Sequence, residues 1–444
     1  MLDHGHHAVT TLTMGINRDI LPVDGYGPDV GFADLTTVPL AESVRPGWEI
    51  DTDVAIAGLE YNGQPLALCP RGALGRAVDA WAALGYEPHL GFEMEFYVMQ
   101  PDAEAPGGFG QLNIPSHRVY GVGMGGDNTG LMFDMFDAAE QCELNLEGIL
   151  GEFHPGQMEL NMKYGPALDA ADRAFICKEM TRELAARKGY WITYMGRPMA
   201  HLVGSGLHIN LSLTPVQGGA NAFDDPHAEH GLSTLARQCI GGLIAHHEGM
   251  AAMSAPLVNS YKRLIPGIIA GYWANWGLDN RISTYRVPYE RGPGTRIENR
   301  MPCGSANPYL AAAVMLNAAL LGVVDGRDCG DPQVGDSDTE PNTDRHTPHD
   351  LGEALAALDL TVPPPPDAAV PTGHRGHRTP VRARPADPKT HLGGNIRHDS
   401  TTPDPRRAPR ARRRTRGASA REPAQSGRRK DREARTRDRR AEKA

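Results

Sequence analysis

The chain has 444 residues, of which 40% are hydrophobic and 22% charged, as is usual for a globular protein. No apolar run reaches the ~18 residues that a membrane-spanning helix needs, and the first residues do not resemble a secretory signal. The composition therefore argues against a membrane protein. Six scattered cysteines without a CxxC pair indicate reduced thiols in a cytoplasmic protein rather than disulfides or a zinc site.

Charge is distributed unevenly along the chain. Residues 361–444 contain 23 Lys/Arg and 9 Asp/Glu, whereas residues 1–360 contain 22 Lys/Arg and 45 Asp/Glu. The acidic body disfavours nucleic acid as a partner and suits a protein that collects metal cations or amines. The basic segment has hardly any large apolar residues and is predicted to be a disordered Arg/Pro-rich tail. A nucleic-acid or membrane-surface tether, or translation in a shifted reading frame, are alternative explanations of this segment.

The predicted elements mix strands and helices. Short β-like runs punctuated by Gly and Pro dominate the first 80 residues or so. Helical spacing is found in the segment that ends at Gly85, at 166–188 and over most of 232–264, and an Ala/Leu-rich stretch at 307–324 predicts a buried helix. Strands are predicted at LGFEMEFYVM, WITYMGRP, GLHINLSL, STYRVPY and TRIENRMP. Because these elements do not follow a strict βαβ order, the predicted fold class is α+β.

Two pairs of acidic residues are the first candidates for a site. Glu93 and Glu95 lie two residues apart on a predicted strand, so both side chains point to the same face. Glu152 and Glu159 flank a Pro-Gly turn in GEFHPGQMELN, which can bring them together. Adjacent carboxylates repel one another unless a cation lies between them, so each pair indicates a metal site. Each pair alone also fits a solvated strand face.

Two further residues extend this pattern. His208 lies on the apolar strand GSGLHINLSL, and Glu298 lies between two arginines in TRIENR. Taken singly, a histidine in such a strand is more often a core residue, and the glutamate fits a surface ion pair. Taken together, five carboxylates and one imidazole suit two Mg²⁺ or Mn²⁺ ions.

Five arginines accompany these acidic residues. The planar guanidinium group binds carboxylate and phosphate in a bidentate manner, and phosphoryl transfer requires such groups beside metal-bound phosphates. Ordinary surface charge is the alternative. The five residues are Arg263, Arg281, Arg286, Arg296 and Arg300.

In order and wording, these motifs resemble the glutamine synthetase family. The series is E-x-E, the GE…GQxE-like spacing, GSGxHxxxS, NSYKRLxPG, NRxxxxRxP, RIExR and NPYLA, and it extends from about residue 31 to about residue 359. The resemblance implies a small N-terminal β-grasp domain, apparently shortened, at 1–70. It also implies a catalytic domain with a curved antiparallel sheet at 71–360, followed by the tail at 361–444.

The resemblance also implies ligands for two divalent ions, with ATP as co-substrate. The ion that holds the acid substrate would be bound by Glu95, Glu152 and Glu159. The ion that holds the ATP phosphates would be bound by Glu93, His208 and Glu298. The expected chemistry is attack of a glutamate γ-carboxylate on ATP, followed by displacement of phosphate from the acyl phosphate by an amine.

Further roles follow from the same resemblance. Arg263 and Arg300 would clamp the glutamate carboxylate and the transferring phosphate, Arg281 would share in catalysis, and Gly204 would contact the amino acid through its backbone. The nucleotide side would comprise Ser212, Arg281, Arg286 and Arg296.

One position departs from glutamine synthetase proper. The segment after NSYKRL reads IPGIIAGYWANWG, and Ile269 occupies the place of a mobile glutamate that accepts a proton from ammonium. An apolar side chain cannot do this, so we predict an organic amine as the nucleophile, in a pocket formed by Ile268, Ile269 and Trp273. A flap of different length with another base, glutamine synthetase proper, and a non-catalytic relative that binds nucleotide or metabolite are the alternatives.

Three other expectations complete the sequence analysis. The family forms ring-shaped homo-oligomers, up to dodecamers, with shared active sites, and Asp24 is the candidate for the acidic residue donated to a neighbour. The C-terminal helices of the family are expected to be replaced by the basic tail. The sequence His246-His247-Glu248 lacks the second histidine of a zinc-protease motif, because Ala251 stands there, and we interpret it as a helix surface.

Overall fold

The N-terminal part of the chain forms a separate antiparallel sheet. The computed structural model describes residues 4–15 and 17–358, so the predicted tail at 361–444 lies outside the described residues. Strands β1 (Gly5–Ala8), β2 (Asp34–Pro39), β5 (Ala57–Tyr61) and β6 (Gln64–Pro65) lie in the order β1-β2-β5-β6, and β3 (Arg45–Pro46) pairs with β4 (Asp53–Val54). Asn62 and Gly63 both have positive φ, which suits the tight turn between β5 and β6.

The central strand of the larger sheet is β7 (Tyr86–Pro101). Its alternate residues Leu90, Phe92, Met94, Phe96 and Val98 are at most 1% exposed and face the core. The residues between them therefore face the opposite side of the sheet. The remaining strands are β8 (Phe109–Gln111), β9 (Leu146–Gly151), β10 (Gln157–Met162), β11 (Gly165–Pro166), β12 (Trp191–Thr193), β13 (Leu207–Pro215), β14 (Trp276–Leu278), β15 (Tyr285–Val287) and β16 (Ile297–Asn299).

The strand order of this sheet brings distant segments of the chain side by side. Its main path is β14-β15-β16-β13-β7-β10-β9, and β8, β11 and β12 also pair with β7. All the pairs are antiparallel except β14 with β15. A mixed architecture with a mainly antiparallel sheet agrees with the predicted α+β class, whereas the domain boundaries at 70 and 360 and the β-grasp assignment stay predictions.

Helices pack against the core. They are α1 (Thr10–Thr13), α2 (Pro70–Ala83), α3 (Leu131–Gln141), α4 (Ala167–Arg187), α5 (Thr234–Ala245), α6 (His247–Ser254), α7 (Pro308–Val324) and α8 (Leu351–Ala357). The Asn307 side chain accepts hydrogen bonds from the first free amides of α7, and this helix is buried along most of its length, as predicted.

Helices α5 and α7 cross with their backbones in contact. A Cβ atom on Gly242 would lie 2.2 Å from the carbonyl oxygen of Ala318, and one on Gly322 would lie 2.2 Å from that of Gln238. Only glycine at both positions allows this approach.

The predicted helix at 232–264 is shorter and interrupted. It is divided at His246 into α5 and α6, and regular α-helix ends at Ser254. The interpretation of His247 as part of a helix surface is wrong, because the residue is fully buried. Its ring bonds to the hydroxyls of Tyr285 and Thr347 at 3.0 and 2.9 Å. Burial lowers the pKa of His247 to about 4, so the ring is neutral at pH 7.

The state of the cysteines and the character of the helices both bear on the class of protein. All six cysteines are buried with free thiols. Within residues 4–15 and 17–358, no helix has the length and apolar character that crossing a bilayer requires.

A buried ion pair joins three helices and provides a test of the core. Asp172 of α4 accepts two hydrogen bonds from Arg71 of α2, at 2.9 and 3.0 Å, and one from the Tyr309 hydroxyl of α7 at 2.7 Å. We expect Asp172→Ala to lower the free energy of unfolding by about 3 kcal/mol, since it leaves a partly buried guanidinium and a buried hydroxyl without a partner. Chemical denaturation would measure this loss. Asp79→Ala, at an exposed position of α2, is the control; equal stability of the two variants would contradict the assignment.

Candidate active site

A cavity of about 1240 Å³ lies on the larger sheet, on the face opposite the one that packs against the hydrophobic core. Its lining includes most of the predicted site residues, and Glu298 lies behind it in contact with Arg286 and Arg300. The predicted residues in the lining are Glu93, Glu95, Glu152, Glu159, Gly204, His208, Ser212, Arg263, Ile269, Arg281, Arg286, Arg296 and Arg300. Residues more than 200 positions apart in sequence are therefore brought to one surface.

The first predicted trio of metal ligands, Glu93, His208 and Glu298, meets across three neighbouring strands. One ligand atom from each lies within 4.8 Å of the others. His208 Nδ1 is 3.2 Å from a Glu93 oxygen and 3.8 Å from a Glu298 oxygen. Burial alone would raise the pKa of Glu93, but the hydrogen bonds from His208 and Asn210 and the charge of Arg300 outweigh it and lower the pKa to about 2. This trio fits a divalent ion.

The second predicted trio, Glu95, Glu152 and Glu159, is a set of mutually repelling carboxylates. Glu159 of β10 lies directly opposite Glu95 of β7. Burial and the charges of Glu95 and Glu93 raise the pKa of Glu159 to about 8, and burial with Glu95 raises that of Glu152. An oxygen-rich cluster with this electrostatic cost suits a hard cation such as Mg²⁺ or Mn²⁺.

The two trios differ in how closely they are assembled. In the part of the chain that the structure describes, only Glu93, His208 and Glu298 bring three such ligand atoms within 4.8 Å. Glu95, Glu152 and Glu159 do not come together within that distance among the described residues. One Glu95 oxygen accepts a hydrogen bond from the Gly206 amide at 2.8 Å, and the other lies 3.6 Å from His208 Nε2, so Glu95 connects the two trios.

The Arg263 guanidinium lies at the edge of the cavity and bonds to backbone carbonyl oxygens. The side chain is fully buried and donates to the carbonyl oxygens of Arg300, Met301 and Pro302 at 3.1, 2.9 and 3.3 Å. Arg263 therefore holds the backbone of the loop that carries Arg300, while its predicted role as a clamp on the substrate stays a prediction. A Cβ atom on Gly204 would lie 2.5 Å from Arg263 Cγ, which explains the glycine at this position.

The other predicted arginines occupy different environments. Arg286 bonds to Glu298 at 2.7 Å and to Asp279. Arg296 donates to Asn210 Oδ1 at 3.1 Å and to Glu290 at 3.2 Å. The exposed Arg281 has no hydrogen bond to the described residues and is the arginine most available to an anionic ligand. Ser212 lines the cavity further along β13, opposite His89 in the strand pairing.

The segment predicted to receive the amine lies at the cavity. Ile268 and Ile269 both belong to its lining, and the Ile269 side chain is 57% exposed. The placement of Trp273 beside them is wrong, because its indole N–H points instead to Asp338, at 3.3 Å, and Trp273 is absent from the lining. Asp24 is exposed and is not in the lining, so its role toward a neighbouring chain stays a prediction.

Four contributing residues were missed. Asn210 donates to Glu93 at 2.8 Å, and Asn161 donates to Glu159 at 2.9 Å. Each lies two residues after a predicted ligand on the same strand, so strand alternation could have found both. Gln157 donates to the carbonyl oxygen of Gly204. Tyr120 lines the cavity at φ +55, where burial and Glu152 raise its pKa while Arg281 lowers it, and no sequence pattern singled it out.

The fold and the site together define a class of protein in which a mainly antiparallel sheet carries a cavity lined by carboxylates and arginines. A family model described as the glutamine synthetase catalytic domain matches residues 67–361. The chain belongs to the glutamine synthetase family.

Individual relatives show the same similarity. The chain is 38% identical over 262 residues to a glutamine synthetase of Clostridium saccharobutylicum, covering 59% of this chain and 58% of the relative. It is 31% identical over 324 residues to a glutamate–isopropylamine ligase of Pseudomonas sp., covering 71% and 70%. A solved structure described as a GmaS/ADP complex is similar with a TM-score of 0.67 and 30% identity, over 73% of this chain and 76% of that one. The match thus spans little more than half the length of the Clostridium relative.

The raised pKa of Glu159 predicts how stability depends on pH without metal. The unfolded state loses this proton near 4.5, whereas the folded state keeps it to about 8, so the stabilisation is lost as pH rises through that range. The opposing contribution of His247 fades above its ordinary pKa of 6.5, so the melting temperature in EDTA should fall as the pH approaches 8. Mg²⁺ should reverse the fall, and Glu159→Gln should flatten it; an unchanged slope in the variant would contradict the prediction.

The hydrogen bond from Asn210 to Glu93 predicts a supporting role in metal binding. We expect Asn210→Ala to weaken Mn²⁺ binding about tenfold, because partners that orient metal ligands typically contribute this much. Titration calorimetry with Mn²⁺ would measure it. Thr214→Val, on the same strand beyond the ligand trio, is the matched control, and equal affinity of the two variants would argue against this role.

Proposed function

We propose that this protein is an ATP-dependent ligase that joins the γ-carboxylate of glutamate to an organic amine through a γ-glutamyl phosphate. Membership of the glutamine synthetase family supports the ligase chemistry. The observation that carries the amine preference is Ile269, which lines the cavity where the family has a proton-accepting glutamate.

The residues of the cavity suit the two anionic substrates. Glu93, His208 and Glu298 would hold one divalent ion, and Glu95, Glu152 and Glu159 a second. Such ions neutralise phosphate and carboxylate charge. Arg281 is free to bind a phosphate, and Arg300 is fixed at the cavity by Glu298 and by the backbone contacts of Arg263. Rigid positive groups of this kind stabilise charge that develops on a transferring phosphoryl group.

The acceptor side of the cavity suits an apolar substituent. Ile268 and Ile269 offer alkyl surface and no charge to attract ammonium, whereas the alkyl group of an amine gains free energy when it leaves water. The similarity to a relative described as a glutamate–isopropylamine ligase agrees with this assignment. Glutamine synthetase proper is the second candidate, because the relative with 38% identity bears that name.

Phosphate release from ATP with Mg²⁺ and glutamate distinguishes these candidates. We expect release with one or more alkylamines to exceed release with ammonia, compared as kcat/KM. Ammonia outperforming every alkylamine tried would favour glutamine synthetase proper. No release with any amine, on protein shown to be folded, would favour a non-catalytic relative.

Substitution of Ile269 tests the same assignment within this chain. We expect Ile269→Glu to shift the ratio of kcat/KM for alkylamine to that for ammonia by about tenfold toward ammonia, a typical effect of one specificity contact. Ile265→Glu adds the same charge to the same segment outside the cavity lining and serves as the control. Equal ratios of kcat/KM for alkylamine to kcat/KM for ammonia in the two variants would contradict the proposed role of Ile269.

A further inference from the structure

The turn that carries Ile269 is held from behind by a second segment. We call residues 267–273 the flap and residues 331–347 the strap; the strap contains neither helix nor strand. The strap lies alongside the C-terminal end of the flap. The Thr347 amide donates to the carbonyl oxygen of Tyr272 at 2.8 Å, and the Ala274 amide donates to that of Arg345 at 3.0 Å. The rings of Tyr272 and His346 stack with centroids 5.0 Å apart.

One carboxylate of the strap bonds to both ends of the flap. Asp338 Oδ2 accepts the Gly267 amide at 2.9 Å, and Asp338 Oδ1 accepts the Trp273 indole N–H at 3.3 Å. The Asp338 amide in turn donates to Asp336 Oδ1 at 2.9 Å, which fixes the backbone beneath the carboxylate. A short loop closed at both ends by a single group has few alternative conformations.

The flap is also anchored to the substrate side of the cavity. Gly271 has φ +75, and a Cβ atom there would lie 3.0 Å from the Met301 amide, so the flap touches the loop that follows Arg300. Ile268 packs against the buried cluster that includes Leu264 and Met301. Ile269 is consequently the exposed residue between these fixed points.

We propose that Asp338 is a positioning residue for acceptor specificity: by bridging the ends of the flap, it keeps Ile269 over the acceptor side of the cavity. This inference rests on the proposed ligase function. The ordered flap favours an amine with an apolar substituent and excludes water from the acyl phosphate.

The exclusion of water has a measurable chemical consequence. In productive turnover, the amine nitrogen forms a bond to the γ-carbonyl carbon, the carbon–oxygen bond to phosphate breaks, and the nitrogen loses a proton. If water attacks instead, its oxygen forms the new bond, glutamate and phosphate are released, and no amide results. The ratio of phosphate released to amide formed therefore reports how well the flap is closed.

Asp338→Asn tests the proposal with matched controls. The amide keeps the size of the side chain but replaces one acceptor oxygen with an NH₂ group. We expect the KM for the alkylamine to rise about fivefold with a smaller effect on ammonia, and the ratio of phosphate to amide to rise about twofold or more. Glu340→Gln removes the same charge from the strap, and its side chain has no hydrogen-bond partner among the described residues. Trp273→Phe, which removes one of the two bonds, should give a smaller effect in the same direction.

Hydrogen exchange gives a readout that does not depend on activity. The Gly267 amide should exchange faster in Asp338→Asn than in Glu340→Gln, because one remaining oxygen cannot accept from both the Gly267 amide and the Trp273 indole N–H. Faster exchange together with a raised ratio of phosphate to amide and a raised KM for the alkylamine would support the proposal. If Asp338→Asn kept the wild-type ratio of phosphate to amide and the wild-type preference for alkylamine over ammonia, the proposal would be overturned, even if the flap exchanged faster. Absence of amine-dependent turnover in the wild-type protein would instead reject the proposed function on which it rests.

Discussion

The strand register of the larger sheet is the constraint on which the candidate site depends. Glu159, Glu95, Glu93, His208 and Glu298 reach one face because β10, β7, β13 and β16 are adjacent and antiparallel. A slip of one residue in any pairing would turn a ligand toward the core. The apolar residues that alternate with the ligands on β7 prevent such a slip, since it would expose them to water. The hydrophobic core thereby fixes the positions of the charged groups.

The cost of assembling these charges is offset by the arginines around them. Glu298, which is almost fully buried, lies between Arg286 and Arg300. Arg263 in turn fixes the backbone of Arg300 to Pro302 through three carbonyl oxygens. A buried carboxylate is costly unless it is paired, and the two arginines provide that pairing for Glu298. In the second trio, burial and the charges of Glu95 and Glu93 raise the pKa of Glu159 to about 8.

Much of this site could be predicted because its motifs are local in sequence. Period-two spacing placed Glu93 beside Glu95, and the same rule would have found Asn161 and Asn210. The long helix at 232–264 could not be divided correctly, because the burial of His247 depends on Tyr285 and Thr347, which are distant in sequence. The direction of Trp273 depends likewise on Asp338, in a segment with no periodic pattern. Contacts that link irregular segments leave no signature in either partner alone.

The crossing of α5 and α7 at Gly242 and Gly322 limits how this protein can vary. At that point the two helices leave no room for a methyl group, and α7 is surrounded by other elements of the core. Any substitution there must push α5 and α7 apart, so its effect would extend to the core elements packed around α7. In a mutational scan, these two glycines would therefore form an intolerant spot remote in sequence from every ligand, and their loss would be mistaken for damage to catalysis unless protein abundance were measured alongside.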